Sequence, residues 1–502
     1  MDPRKPAPRP DTRPQRDDRG PQGSRDDRGN RGGAPRFERR PPQALPPRDP
    51  TPVPAAVARA GVPHGATESG WLPDCVYTGE KFETGLAFFA DTAGRITRFS
   101  REPADLAAAR RLDGQAALPG LVNTHSRSFH RVLRGRTERR GAPDDPFTTW
   151  AEALGRATGR ATGEEVFDAA RMAFMEMLLA GITCVGEFHF VAPTAEVTAV
   201  ADANLVRREI IRAAHEVGIR LALLNVAPER AEPFVRDVET LRLLVEKEFP
   251  ADEVWLGLGA DLPAVLPVDQ LKIVATYARA QRMRWHAHVA PRPGESVSAG
   301  RSPLAQLADL GFLDKRFTAI HPLQLSDDDV KLLGTARASV CLCPITAQNF
   351  GIGSASAEKL LAAGAGIALG TDSHAQIDLL KEARLLEYQL RVQHGQRGVF
   401  AAEPATALFH AATVTGARSL GATGGALEVG RPADFFTVNL FDPSIAGAEP
   451  GALLANIVFA LERRAVRDVW IGGRQRVVAG RHPLHGPIVG RFVEAQRRIW
   501  GA

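Results

Sequence analysis

The chain is poor in cysteine, in tyrosine and in long apolar runs. Four cysteines in 502 residues are too few for a disulfide framework and suit a reducing compartment, so a cytoplasmic protein is expected. No run of about 18 apolar residues occurs, which excludes a helix crossing a bilayer and makes a membrane partner unexpected. The opening Met1-Asp-Pro-Arg-Lys-Pro6 holds no apolar stretch, and no secretory leader is expected from it. Excess charge is missing from most of the chain. The formal net charge is +5, yet residues 1–50 hold 13 basic and 8 acidic side chains, leaving 50 of each in the other 452. The globular part therefore has no electrostatic reason to seek nucleic acid.

What is present falls into three parts. Residues 1–68 are rich in Pro, Arg, Asp and Gly, as in Arg25-Asp-Asp-Arg-Gly-Asn-Arg-Gly-Gly33. Such a composition buries too little apolar surface to offset chain entropy, so a disordered, solubilising tail is expected. A weak RNA contact of the Arg-Gly type is the lesser reading, because aspartates interrupt it and Phe37 is its only aromatic before Trp71. Short β-type runs follow at Asp74–Thr78, Leu86–Ala90 and Gly94–Arg98, and again at Ala433–Asn439 and Val466–Gly473. Residues 69–117 and 423–490 are expected to form one small β-sandwich from both flanks, if the ends of the middle lie close together.

Residues 118–422 alternate strand and helix patterns. Strand-like runs stand at Gly120–Asn123, Ile182–Val185, Arg220–Asn225, Val254–Leu258, Arg284–His288, Phe317–His321, Ala338–Cys343 and Gly366–Gly370. Between the first two, Val166, Ala170, Ala173, Met177 and Ala180 repeat at helical spacing. Thr162 caps that helix, Glu165 completes a capping box and Gly181 ends it. Eight β–α alternations over about 300 residues predict an α/β protein, a (β/α)8 TIM-type barrel. An open doubly wound sheet is the runner-up, but no Gly-x-Gly-x-x-Gly follows the first strand.

A barrel carries its chemistry at the carboxyl ends of its strands. His125, His130, His189, His286, His288, His321 and His374 stand there, seven of 13 histidines, together with Glu187 and Asp372. One histidine at a strand end is ordinarily a satisfied core or loop residue. A set converging from five strands indicates a site. Three imidazoles and a carboxylate suit a divalent metal such as Zn or Fe. By contrast, Cys341 and Cys343 share one strand face without further thiols, and Ser326-Asp-Asp-Asp329 reads as a capped helix start rather than a calcium loop.

Leu118-Pro-Gly-Leu-Val-Asn-Thr-His125, His288, Ile320-His321, Gly370-Thr-Asp-Ser-His374 and Gly425-Ala-Leu-Glu-Val-Gly-Arg-Pro-Ala-Asp434 resemble the amidohydrolase superfamily. Within it, His125-Ser-Arg-Ser-Phe-His-Arg131, Glu187-Phe-His-Phe190, Cys343-Pro-Ile-Thr346 and Leu385-Leu-Glu-Tyr388 are most similar to the formimidoylglutamate deiminases. The resemblance covers about residues 71–490. It implies a barrel with a flanking β-sandwich, one divalent metal, and hydrolysis of a C–N bond in a small amidine or amide with release of ammonia. It implies His125, His288 and Asp372 as metal ligands, and His321 and Asp372 as catalytic groups. It puts Arg127, His130 and His189 on the substrate side.

The match is incomplete. The resemblance implies a second histidine where Arg127 stands and a proton-shuttling glutamate where Pro291 stands; Glu187 and Glu295 are the candidate substitutes. On the substrate side it implies glutamine at His130, tyrosine at Phe190, a histidine pair at Ala192-Pro193 and arginine at Ala151. Arginine stays protonated and has no lone pair to donate. A guanidinium about 4 Å from a dication, at an effective dielectric of ~20, is repelled by about 8 kcal/mol. A lost ligand removes about 3 kcal/mol more. Two outcomes stay open. Either metal survives because Arg127 swings away or another ligand enters, or Arg127 replaces the metal, pairs with Asp372, and leaves a catalytically degenerate module for a small anion or a protein. A homodimer is also left open.

Overall fold

The computed structural model describes residues 68–139, 141, 148–189, 204–228, 230–262, 267–289 and 302–501. The tail expected over residues 1–68 therefore lies outside the described residues up to residue 67. Phe190, Ala192, Pro193, Pro291 and Glu295 also lie outside them.

Two sheets organise the chain. The flanks supply β1 (Glu68–Tyr77), β2 (Phe82–Thr84), β3 (Ala87–Asp91), β4 (Ile96–Ser100) and β5 (Arg110–Pro119) from one side. From the other side come β14 (Phe435–Asn439), β15 (Val466–Ile471) and β16 (Arg474–Val477). Between them run β6 (Leu121–Ser126), β7 (Ile182–His189), β8 (Arg220–Val226), β9 (Val254–Leu262), β10 (Trp285–Val289), β11 (Phe317–Ile320), β12 (Ser339–Leu342) and β13 (Gly366–Leu369).

Strands β6 to β13 pair in chain order as one eight-stranded parallel sheet, and a parallel bridge between Ser126 and Asp372 brings its first and last strands together. This is the (β/α)8 barrel that the alternation predicts, and each of the eight expected runs lies on one of its strands. Both faces of a parallel barrel strand are covered, so the runs are mostly apolar rather than alternating. All seven residues of β8 are buried. The helix Gly163–Leu178 starts at Thr162, whose N–H donates to the Glu165 carboxylate at 2.9 Å. Its chain reverses at Gly181, where φ is +78°.

The flanking strands build a separate mixed sheet in the order β16-β15-β14-β5-β1-β3-β4, with β2 on β1. Its pairing unites the two ends: β14 runs antiparallel to β5, with Phe435 opposite Pro119. Trp71, Phe88, Phe435 and Trp470 fill one side, the last two rings stacked 4.4 Å apart. Asp434 ties this sheet to the barrel. Its carboxylate accepts from Arg220 Nε at 2.6 Å and Nη2 at 3.0 Å, and from the Gly472 N–H at 2.7 Å. A final helix, His485–Trp500, buries Ile488, Phe492, Ala495 and Ile499 and packs on Gly163–Leu178. No helix among the described residues is long and apolar enough to cross a membrane.

Candidate metal centre

The carboxyl ends of four strands converge. His125 stands near the end of β6, His288 on β10, and His321 and Asp372 just beyond β11 and β13. One ring nitrogen from each of the three histidines lies within 4.8 Å of the others. His125 Nε2 is 3.3 Å from His288 Nε2 and 3.2 Å from Asp372 Oδ1, and His321 Nε2 is 3.0 Å from Asp372 Oδ2. Ligands held at about 2.0–2.1 Å around a tetrahedral ion stand roughly 3.3 Å apart, which is the spacing of His125 from His288 and from Asp372, and leaves a fourth position open. The donor set and its spacing fit one divalent metal ion.

Local structure fixes this arrangement. Gly370 has no room for a side chain, since a Cβ there would stand 2.8 Å from both the Cβ and the carbonyl oxygen of His125. The missing Cβ lets the end of β13 approach β6, where Thr371 and Asp372 donate N–H groups to the His125 carbonyl at 2.9 and 3.0 Å. His321, Asp372 and His374 have positive φ, at 49°, 36° and 56°. Left-handed backbone in non-glycine residues is strained and clusters at sites.

The electrostatics favour neutral His125 and His288 imidazoles beside an ionised Asp372. Burial holds His125 well below the ordinary histidine range despite the facing Asp372, and lowers His288 despite Asp261. Burial opposes ionisation of Asp372, but His321 and His125 outweigh it and hold the carboxyl well below the usual range.

Asp261, near the end of β9, is the residue the sequence reading missed. Its carboxylate accepts from His288 Nδ1, so the other ring nitrogen is turned toward His125. Outer carboxylates orient metal-binding histidines in this way. Burial raises its pKa, but His288 and Arg127 outweigh burial and keep the carboxyl below its ordinary range. The only advance signal was an acid ending an apolar strand run.

Arg127 enters the same space. Its Nη2 lies 3.1 Å from Nδ1 and 3.3 Å from Nε2 of His288, and its Nε lies 3.7 Å from Asp372 Oδ1. Near-equal distances to both ring nitrogens put the guanidinium against the imidazole rather than in line with one lone pair. Glu187 grips the residues on both sides of Arg127. It accepts from Ser126 Oγ at 2.5 Å, and from Ser128 N and Oγ at 2.6 and 2.7 Å. Burial pushes its carboxyl up to about 7, against those hydrogen bonds. With both oxygens engaged, Glu187 holds the loop.

His130 and His189 stand apart from the cluster and border a cavity of about 90 Å³ next to Arg127 and Glu187. Burial and then Arg127 hold His130 far below the ordinary range, and burial takes His189 down to about 3. Trp150 meets the His130 ring edge-on at 5.1 Å. His374 touches Ser126 Oγ at 3.3 Å. His286 points away from the mouth, Nε2 3.2 Å from the Ser419 carbonyl. Cys341 and Cys343 are buried free thiols. Ser326 caps the helix Asp327–Thr335, its Oγ accepting the Asp329 N–H at 3.1 Å.

Fold and site together are those of a (β/α)8 protein with a cluster of three histidines at its strand ends that could hold a metal ion. The amidohydrolase family model matches residues 116–476, and the chain belongs to that family. It is 34% identical over 417 residues to a formimidoylglutamate deiminase of Pseudomonas aeruginosa, covering 78% of this chain and 91% of that protein. It is 28% identical to a 5-methylthioadenosine/S-adenosylhomocysteine deaminase of Teredinibacter turnerae, covering 73% of this chain and 80% of that protein. Among solved structures, an amidohydrolase of Brucella melitensis aligns with TM-score 0.78 and 27% identity, over 86% of this chain and all of that one. An adenosine deaminase from Xanthomonas campestris with bound zinc shares the fold at TM-score 0.75 and 22% identity, over 86% of this chain and 98% of that one.

Proposed function

We propose that this chain is a metal-assisted hydrolase that cleaves a C–N bond in a small amidine or amide and releases ammonia. The observation that carries the reading is the convergence of His125, His288, His321 and Asp372 at 3.0–3.3 Å spacings. His125, His288 and Asp372 would hold one Zn or Fe ion. When bound, such an ion supplies a Lewis acid and lowers the pKa of a water. His321, 3.0 Å from Asp372, would hydrogen-bond the nitrogen or oxygen carried by the reacting carbon, and Asp372 would take up the proton that water releases as it adds to that carbon. Arg127, His130 and His189 orient the rest of the substrate. The identity to a deiminase over most of both chains supports the class of reaction; the substrate itself is not inherited from it.

A second reading has its own observation. Arg127 touches His288 and reaches Asp372, and Pro291 stands where the resemblance implies a glutamate. On this reading the guanidinium replaces the ion, and the barrel mouth is a binding module for a small anion or a protein. Elemental analysis of the purified full chain separates the two. About one equivalent of Zn or Fe, with ammonia released from an offered amidine, supports hydrolysis. A metal-free parent beside a metal-binding Arg127→His, Pro291→Glu double variant supports the guanidinium reading.

A further inference from the structure

A second cavity lies at the other end of the barrel from the converging histidines. It measures about 460 Å³, and the amino ends of β9 and β10, the end of the helix Ala231–Glu248 and the segment Leu420-Gly421 wall it. Small-molecule sites occupy roughly 300–1,000 Å³. Phe249, Trp255 and Met283 give it apolar walls. The Trp255 indole is fixed in place, its Nε1 donating to the Leu420 carbonyl at 2.8 Å. Four charged side chains complete the lining: Arg242, Glu246, Arg282 and Arg284. Arg242 is spent on carboxylates, with Nη1 2.5 Å from Glu246 and Nη2 2.7 Å from Glu239. Arg282 and Arg284 have no ion-pair partner among the described residues. Arg284 is half-buried, and its Nη1 donates to the Lys315 carbonyl at 3.1 Å. Burial, Arg316 and Arg418 lower its pKa against the pull of Asp314, and Asp314 is itself paired with Arg316 at 2.8 Å. A half-buried cation beside other cations, without a carboxylate of its own, carries a cost that a bound anion removes.

We infer that this cavity binds a phosphate monoester with an aromatic body, at a site separate from the metal centre. Two guanidiniums without carboxylates match a dianion better than a single negative charge, and each planar fork can pair with two phosphate oxygens. Phe249, Trp255 and Met283 offer the body an apolar surface that inorganic phosphate would leave unused. The separation follows from the strand. Arg284 precedes His288 by four residues in the run that forms β10, about 13 Å at the rise of a strand. A phosphate held by Arg284 therefore does not touch the converging histidines. The site stands whether or not the hydrolase reading does.

The test is calorimetric titration of the full chain with phenyl phosphate, inorganic phosphate, benzoate and phenol. Phenyl phosphate is expected to bind at least about 10-fold tighter than each of the other three, which lack either the ring or the second charge. Arg282 is exposed, and Arg282→Gln is expected to weaken phenyl phosphate about 10-fold. The double variant Arg282→Gln, Arg284→Gln is expected to weaken it about 100-fold. Arg127→Gln, at the metal centre, is expected to leave it unchanged. Circular dichroism checks folding, and if the double variant does not fold, Arg282→Gln decides. No saturable binding of phenyl phosphate overturns the inference, as does equal affinity for any of the other three probes. An affinity unchanged in Arg282→Gln, as the arginines of residues 1–50 would give, overturns it too. So does a loss in Arg127→Gln, which would put the anion at the metal centre.

Discussion

Replacing Asp261 with asparagine should cost this protein its metal more surely than any other change outside the converging side chains. Arg127 is the apparent obstacle: a guanidinium about 4 Å from a dication contributes about 8 kcal/mol of repulsion at an effective dielectric of ~20. Asp261 stands one imidazole further out, its carboxylate on His288 Nδ1. An ion bound at the other ring nitrogen would lie about 6 Å from that charge, an attraction of about 5–6 kcal/mol on the same scale. Asp261 thus offsets some two-thirds of the Arg127 penalty while aiming the imidazole. Relaxation shrinks both figures, and measured losses for carboxylates behind metal-binding histidines are about 10- to 100-fold in affinity. Asp261→Asn is therefore expected to weaken zinc binding about 10- to 100-fold, Arg127→Gln to strengthen it, and the double variant to return toward the parent. A competition titration with a chromophoric chelator measures all four proteins, with circular dichroism to check folding. A Kd for Asp261→Asn within threefold of the parent, or weaker binding by Arg127→Gln, refutes the charge balance.

Three other outcomes follow from the structure. Glu187 is pushed up to about 7 by burial, so between about pH 4.5 and 7 the folded protein holds a proton that the unfolded chain releases. Stability should fall by about 3 kcal/mol as pH rises through that window, and urea unfolding of Glu187→Gln at pH 5 and 8 should show the difference shrink by that amount. Asp434→Ala strands the buried Arg220 guanidinium, whose other acidic partner is Asp252 at 3.3 Å. It should cost about 3 kcal/mol, the low end for a broken buried pair, read as a drop in Tm. Gly370→Ala drives a methyl group into His125; it should lower zinc affinity and Tm together, whereas an unchanged zinc affinity would mean that β13 does not set the position of His125.

The amino-acid sequence determined what depends on local pattern. Eight largely apolar runs separated by helical spacing specified the barrel, because a strand covered on both faces is mostly apolar. Thr162 and Glu165 marked a helix start, since a cap acts within four residues of itself. His125, His288, His321 and Asp372 were legible because the carboxyl end of a barrel strand is where polar residues gather. The tertiary structure decided what depends on distance through space. The sequence displays Arg127 as a lone cation two residues from His125, with no sign of the carboxylate that balances it. Asp261 comes 134 residues after Arg127 in the chain, and only the neighbouring of β9 and β10 brings its carboxylate to His288. The walls of the cavity beside Arg127 were equally hidden: Phe129, Leu154, Val166, Phe188 and Val206 come from five separate segments, each of which reads alone as ordinary core. Hydrophobic period reports which way a side chain faces. Charge compensation and cavity shape are sums over neighbours, and neighbours are fixed only once the barrel closes.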